Sequence, residues 1–264
     1  GLQRDDLFTV VHERFFTDTC AYADIILPAT SSVEHNDIYT SYGHYYIGLG
    51  SQLIPPIGQS KSNWQVFSLL AKALHIQDDF MNQSEQDLIT RMIDSITVFT
   101  PEEKEQLRQG QPVEIPMPTN YKMDFQTPSG KIELKNERER HPFPCYIEPH
   151  GDTADLWLIN SNDSRLLDSS FNERHIGGDT MLLWMNPIDA KQRRLQEGNQ
   201  VRVYNERGTV NFPLRIDDQL PPGVVLTRGV WWQRYSSDKR YSINALTSSR
   251  YTDQGFGATF YAVK

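Results

Sequence analysis

Residues 160–171, Asn-Ser-Asn-Asp-Ser-Arg-Leu-Leu-Asp-Ser-Ser-Phe, carry the densest hydrogen-bonding chemistry in the chain. Hydroxyls and carboxamides surround a single guanidinium, Arg165, directly after the apolar run Leu-Trp-Leu-Ile at 156–159. A polar loop held at the end of a strand gathers donors at one point and suits a phosphate or a polyfunctional ligand. The same composition describes a solvated loop whose Asn and Ser side chains form local turns, and on composition alone that reading is the stronger.

Other reactive groups are scattered. His12 and Glu13 follow the apolar stretch 7–11 and would lie just beyond the carboxyl end of a strand, where open α/β sheets place their ligands. His44, His75, His141, His150 and His175 show no metal-ligand spacing and read as surface or loop residues. Cys20 and Cys145 are far apart and outside any CxxC pattern, so two free thiols in a reducing compartment are expected. The turn Thr127-Pro128-Ser129-Gly130-Lys131 lacks the first glycine and the spacing of a phosphate-binding P-loop. Lys191, Arg193 and Arg194 read as a solvated helix end that favours the helix dipole.

These groups need elements to position them. Residues 7–11 and 23–28 read as buried strands, with a short helix over 17–22 between them, which suggests part of a parallel α/β sheet. The clearest helix runs over 62–75, with Ser62 and Gln65 as a capping box and Val66, Phe67, Leu70, Ala73 and Leu74 as its apolar stripe. A second helix is expected over 84–96, and a third from Thr100 and Pro101 to Gly110. Prolines forbid regular structure over 111–118, residues 125–134 read as a hairpin about Pro-Ser-Gly, and 141–149 as a linker. Beyond it the texture changes to short strands at 156–160, 181–185, 200–205, 209–216, 224–227 and 259–264. One helix at 187–194, capped by Asn186, interrupts them. Six strands with little helix read as a small β-barrel.

The bulk numbers suit an ordinary globular protein of 264 residues, with 38% hydrophobic and 23% charged residues. A formal net charge of −8 argues against nucleic acid or an anionic membrane as a partner, and no apolar run approaches the ~20 residues of a span. The first residue is Gly1, which permits a chain cut from something longer.

In order, the landmarks are Thr17-Asp18-Thr19, Ala23-Asp24-Ile25-Ile26-Leu27-Pro28-Ala29-Thr30 and Glu34, then Phe125-Gln126-Thr127-Pro128-Ser129-Gly130-Lys131-Ile132-Glu133-Leu134. Asn186-Pro187-Ile188-Asp189-Ala190, Gly198-Asn199-Gln200-Val201-Arg202-Val203, Arg207-Gly208 and Pro222-Gly223-Val224-Val225 follow. Last come Asn244-Ala245-Leu246-Thr247, Asp253, Gly255 and Gly257-Ala258-Thr259-Phe260-Tyr261. Each is weak alone, but their order and spacing resemble the C-terminal part of the molybdopterin oxidoreductases of the dimethyl sulfoxide reductase type.

The resemblance covers essentially the whole chain. It implies a mixed α/β plus β fold: a partial α/β domain with a parallel sheet over 1–80, a helical segment, hairpin and linker over 81–150, and a C-terminal six-stranded double-psi β-barrel over 151–264. It implies a cofactor, bis-molybdopterin guanine dinucleotide with Mo or W, used for two-electron redox or oxygen-atom transfer. Cofactor contacts are implied at Ser161, Asn162, Ser164, Arg165, Ser169, Ser170, Asn244, Phe260 and Tyr261 for one dinucleotide. For the other they are implied at His12, Glu13, Glu34, His35 and Asn63, and a carboxylate at Glu13 would accept guanine N–H groups. An innocent place in a capped helix competes for Asn63, and backbone pinning of a loop for Asn244. Packing competes for one of Phe260 and Tyr261, since neighbours on a strand point to opposite faces.

The resemblance places the metal-ligating residue and the iron–sulfur cluster on an absent N-terminal remainder. That remainder would be one partner and an electron-transfer subunit another, and the fragment alone would be inactive. The cytoplasm is the expected compartment. Two other classes stay open: a non-catalytic scaffold homologue without pterin, and a stand-alone nucleotide- or metabolite-binding module.

Overall fold

Among the described residues four α-helices begin at side-chain caps, which favours a defined start for each. The computed structural model describes residues 1–117, 122–139, 141–146, 155–174, 181–235, 242–252 and 256–257. They fall into two compact units, Gly1–Cys145 and Tyr146–Lys264.

In the first unit β1 (Val10–Glu13) and β2 (Ile25–Pro28) pair in parallel, from Val10 opposite Ile25 to Glu13 opposite Pro28. A 3-10 turn, Asp18–Tyr22, links them, and Thr17 precedes it without making a side-chain cap. Apolar residues on both faces are the mark of a strand buried on both sides. Here the sheet stops at two strands, so Val10, Ile25 and Ile26 are exposed rather than buried. Chain direction then passes through Lys61, bridged to Ala29, into α1 (Asn63–Ala73). Ser62 and Gln65 close the expected capping box, each 3.2 Å from the other's backbone N–H. Of the helix's apolar side chains only Ala71 is buried, while Phe67, Leu70 and Leu74 face outward.

A separate core lies under α2 (Glu85–Ser95, capped by Ser84) and α3 (Pro101–Arg108, capped by Thr100). Ile89, Ile93, Phe99, Leu107 and Val113 form it. It packs with an antiparallel sheet in the order β3 (Asp37–Tyr39), β4 (Tyr46–Gly50), β5 (Val113–Glu114). Strand β5 corrects the expectation of irregular chain over 111–118. Pro112 and Pro116 flank two residues that keep their N–H groups, and β5 sits at the sheet edge, where proline is tolerated. The hairpin over 125–134 is also corrected. Its turn forms, with Gly130 at φ +63° donating to Thr127 O at 3.0 Å, but no strands flank it. Hydroxyls divert the backbone instead: Thr127 Oγ1 donates to Lys131 O at 2.7 Å and Ser129 Oγ to Glu133 Oε1 at 2.8 Å.

The second unit holds β6 (Trp157–Ser161), β7 (Leu183–Met185), α4 (Pro187–Gln192), β8 (Gln200–Tyr204), β9 (Thr209–Ile216) and β10 (Val224–Arg228). The strand order is β6-β10-β7-β9-β8, with β6–β10 and β7–β9 parallel and the other two pairs antiparallel. Period-two alternation in β9 turns Val210, Phe212 and Leu214 inward, all fully buried, against Leu158, Leu183, Met185, Val225 and Leu246. Asn186 caps α4 by accepting from Ile188 N at 2.7 Å. The described residues thus form a five-stranded mixed sheet with helices and no closed barrel. The expected sixth strand at 259–264 lies outside the described residues. Among the described residues no helix is long and apolar enough to cross a membrane.

Candidate functional site

Strand direction decides which loops of the second unit leave the sheet at the same end. Since β6 and β10 are parallel, Ser161 lies opposite Arg228. The antiparallel β10–β7 pair, the parallel β7–β9 pair and the antiparallel β9–β8 pair then bring the starts of β7 and β9 and the end of β8 to that same end. The polar loop after Ser161, the segment after Arg228 and the turn 205–208 all leave the sheet there. The 3-10 segment Ile243–Leu246 is tied to that turn: Asn205 Nδ2 and Arg207 Nε each donate to Leu246 O at 3.0 Å. Gly208 permits this approach, since a Cβ there would lie 2.5 Å from Ala245 O. The expected loop residues and Asn244 therefore share one end of one sheet.

Inside the loop, a few residues set its shape. Asp163 is buried, and Arg165 grips it, donating from Nε to Oδ1 at 2.9 Å and from Nη2 to Oδ2 at 2.8 Å. The guanidinium's hydrogen bonds hold the Asp163 carboxyl below the usual carboxylate range, against the opposing effect of burial. The same guanidinium lies 4.9 Å from the centre of the Trp231 ring. Asn172, fully buried, joins the loop to the segment after β10. Its Nδ2 donates to Ser169 O at 3.0 Å and Val230 O at 3.1 Å, and its Oδ1 accepts from Trp232 N at 3.0 Å. Trp232 Nε1 adds a bond to Ser169 O at 3.1 Å, and Tyr235 OH one to Asn172 O at 2.8 Å. Asp168 and Phe171 adopt φ of +50° and +70°, costly for residues with a Cβ and maintained by this framework.

The remaining polar side chains are uncommitted. Ser161, Asn162, Ser164, Ser169 and Ser170 have no side-chain hydrogen-bond partner among the described residues, and the exposed Asn244 amide has none either. The Asn244 backbone, by contrast, accepts from Thr247 Oγ1 at 2.9 Å. Hydroxyls and amides without protein partners at one end of a sheet have the donors and acceptors to bind pyrophosphate oxygens or a heterocycle of mixed polarity. Arg165, by contrast, is largely taken up by Asp163. Sequence reasoning did not single out Asp163, Asn172 or Arg228. The i, i+2 spacing of Asp163 and Arg165 was a signal for the first, and none was available for the others. Phe260 and Tyr261 lie outside the described residues. A hollow of about 350 Å³ has an apolar floor of Leu158, Leu183, Met185, Val201 and Val225, with Asp155, Arg193, Arg202 and Asn205 also lining it, and none of the expected contact residues lines it.

The first unit gathers His12, His35 and Asn63 around Lys61. His12 Nδ1 lies 3.1 Å from Asn63 Oδ1, and its Nε2 lies 3.1 Å from Lys61 O. His35 Nδ1 is 2.9 Å from Thr30 Oγ1, and Thr30 N donates to Lys61 O at 3.1 Å. A pocket of about 250 Å³ opens beside them, lined by Thr30, His35, Asp37, Lys61, Asn63 and Glu85 among others. His12 and Glu13 lie within β1, which begins at Val10 rather than Leu7, and not beyond its end as expected; Glu13 accepts from Arg14 N through one oxygen at 2.8 Å. Glu34 is different: it is buried, and both oxygens serve its own chain. Oε2 accepts from Ser31 N at 2.6 Å and Ser31 Oγ at 2.8 Å, and Oε1 from Ile57 N at 2.7 Å. Those bonds hold its pKa below the ordinary glutamate value, and they make it a loop clamp. No group of three His, Cys, Asp or Glu among the described residues could hold a metal ion.

Known proteins match both units. Residues 1–73 match the family described as molybdopterin oxidoreductase, and residues 156–263 the molydopterin dinucleotide binding domain. The chain is 37% identical to the probable oxidoreductase YoaE of Bacillus subtilis over 99% of this chain and 40% of that protein. It is 26% identical to the dimethyl sulfoxide reductase DmsA of Escherichia coli over 91% of this chain and 35% of that protein. In fold it is similar to the acetylene hydratase from Pelobacter acetylenicus, with a TM-score of 0.68 at 20% identity, over 97% of this chain and 36% of that one. The chain belongs to the molybdopterin oxidoreductases of the dimethyl sulfoxide reductase type. It spans 40% or less of the length of these curated relatives.

Proposed function

We propose that this chain is the cofactor-holding C-terminal portion of a molybdenum or tungsten oxidoreductase that carries bis-molybdopterin guanine dinucleotide. One observation carries the reading: the uncommitted hydroxyls and amides of Ser161, Asn162, Ser164, Ser169, Ser170 and Asn244 collect at one end of one sheet, within the residues matched to the dinucleotide-binding family. The donor set fits the ligand. Serine hydroxyls and the Asn162 amide would hold pyrophosphate oxygens, and Asn244 would pair with an edge of the pterin. Residues 259–264 would complete the sheet as a double-psi barrel and bring Phe260 and Tyr261 to the same ligand. In the first unit His12, His35 and Asn63, with Glu13, would bind the second nucleotide, and Glu34 would shape the loop beside it. Domain limits follow as 1–80, 81–150 and 151–264.

When bound, the cofactor supplies a two-electron redox centre suited to oxygen-atom transfer. This chain's residues bind and orient it. The metal ligand and any iron–sulfur cluster would come from an N-terminal remainder of the same cytoplasmic enzyme, with an electron-transfer subunit as a further partner, so the 264 residues alone would not turn over. The test is metal and guanine analysis of the natural full-length protein. Molybdenum or tungsten together with guanine nucleotide, in the ratio of a bis-dinucleotide cofactor, supports the reading. Purified, folded full-length protein without pterin or guanine, from cells that load a related enzyme, refutes it.

A further inference from the structure

Arg165, the loop's guanidinium, is bound at two points to the buried Asp163, so the pair is close to neutral. Net positive charge at this end of the sheet must come from elsewhere. Arg228 is the last residue of β10, opposite Ser161, where the loop begins. It is exposed, and no carboxylate lies within ion-pair distance of it among the described residues. Its guanidinium lies 4.9 Å from the centre of the Trp184 ring on β7, a contact that orients the group without cancelling its charge. The backbone on either side is fixed. Thr227 is buried, and Gly229, at φ +70°, packs against Leu166 and Asp163 of the loop. Arg174 and Arg234 also lie over aromatic rings, those of Phe171 and Trp232, but neither sits on a strand of the sheet.

We propose that Arg228 is the phosphate-binding cation of this site, gripping the phosphate oxygens of a nucleoside diphosphate group beside the Ser161 hydroxyl. Arg165 is then a positioning residue that holds the loop through Asp163. A planar guanidinium presents paired N–H donors to a phosphate, and the ring beneath it restricts its rotation before the ligand arrives. This inference rests on the cofactor reading above.

Full-length protein made in cells that cannot synthesise molybdopterin provides the cofactor-free form. It is titrated with GDP and, separately, with guanosine. Arg228→Ala is expected to weaken GDP binding by about tenfold or more, the scale of a lost charge-assisted hydrogen bond, while guanosine binding and Tm stay as in the wild type. Arg228→Lys, which keeps the charge and loses the fork, should fall between. Arg165→Ala should lower Tm. GDP binding by Arg228→Ala within about twofold of the wild type overturns this inference and leaves the cofactor reading in place, twofold being about 0.4 kcal/mol. Failure of the folded wild-type protein to bind GDP at all overturns both.

Discussion

Arg165 and Asp163 are two residues apart and form a closed unit: both carboxylate oxygens are gripped by one guanidinium, and the backbone N–H of Arg165 adds a third bond at 2.9 Å. The carboxylate is buried and the guanidinium half exposed. The unit therefore works as an internal brace of the loop, with its polar capacity turned inward.

Replacing Asp163 by Ala should loosen the loop and cost about 1.5 kcal/mol of stability, the low end of the range for hydrogen bonds to charged groups, because the half-exposed Arg165 guanidinium regains water. The pH dependence has a definite sign. Asp163 has a depressed pKa in the folded state, so its stabilisation is complete above the unfolded-state value, near 3.9. It is lost as pH falls through the lower folded-state value. Urea denaturation of wild type and variant at pH 7 and at pH 3 checks this: the gap between them should shrink at the lower pH.

Gly229, just after β10, stands tight against the loop. Its φ is +70°, and a Cβ would stand 2.7 Å from Leu166 Cδ1 and 3.0 Å from Asp163 Cβ. Gly229→Ala should cost about 1–2 kcal/mol for the left-handed backbone alone and also displace the loop. Thermal melts should show the loss, and cofactor content of the full-length variant should fall with it.

Asn172 gives the loop its second anchor. Asn172→Ala removes three hydrogen bonds of a fully buried amide, to Ser169 O, Val230 O and Trp232 N, each worth about 0.5–1.5 kcal/mol, while Ser169 O keeps its bond from Trp232 Nε1. Hydrogen exchange should show faster amides in 161–174 and 229–235, with β9 unchanged. Equal loss of protection in β9 would mean that the anchor supports the whole sheet.

Much of this framework is legible in the sequence where the cause is local. Capping depends on residues three apart, so Ser62–Gln65 and Thr100–Glu103 declare themselves, and alternation marks β9 from end to end. Strands β3, β4 and β5 were not legible. Each is short, and what makes Val113–Glu114 a strand is its pairing with Tyr46 and Ile47, more than sixty residues away. The serines and Asn244 became candidates through the family resemblance, since by composition alone the loop reads as solvated. The i, i+2 spacing hints that Arg165 turns toward Asp163, but the burial of Asp163, and the place of Arg228 over Trp184 with no carboxylate at ion-pair distance among the described residues, emerge only from the fold. Glu34 shows the same limit, because its fate is set by backbone N–H groups that only the folded loop brings together.

Glu34 also gives a test in the first unit. Its carboxylate accepts two bonds from Ser31 and one from Ile57 N, and these lower its pKa on folding. Its contribution is therefore complete above the unfolded-state glutamate value, near 4.3, and disappears as pH falls through the lower folded-state value. Glu34→Gln keeps the shape but replaces one acceptor oxygen by an NH2 donor that faces a backbone N–H, so the variant should be less stable than the wild type at neutral pH. The difference should diminish on acidification, because the wild-type carboxyl then becomes neutral as well. Melting curves between pH 3 and pH 7 measure it. A deficit that stays constant across that range would mean that the charge of Glu34 contributes nothing and that its role is one of shape alone.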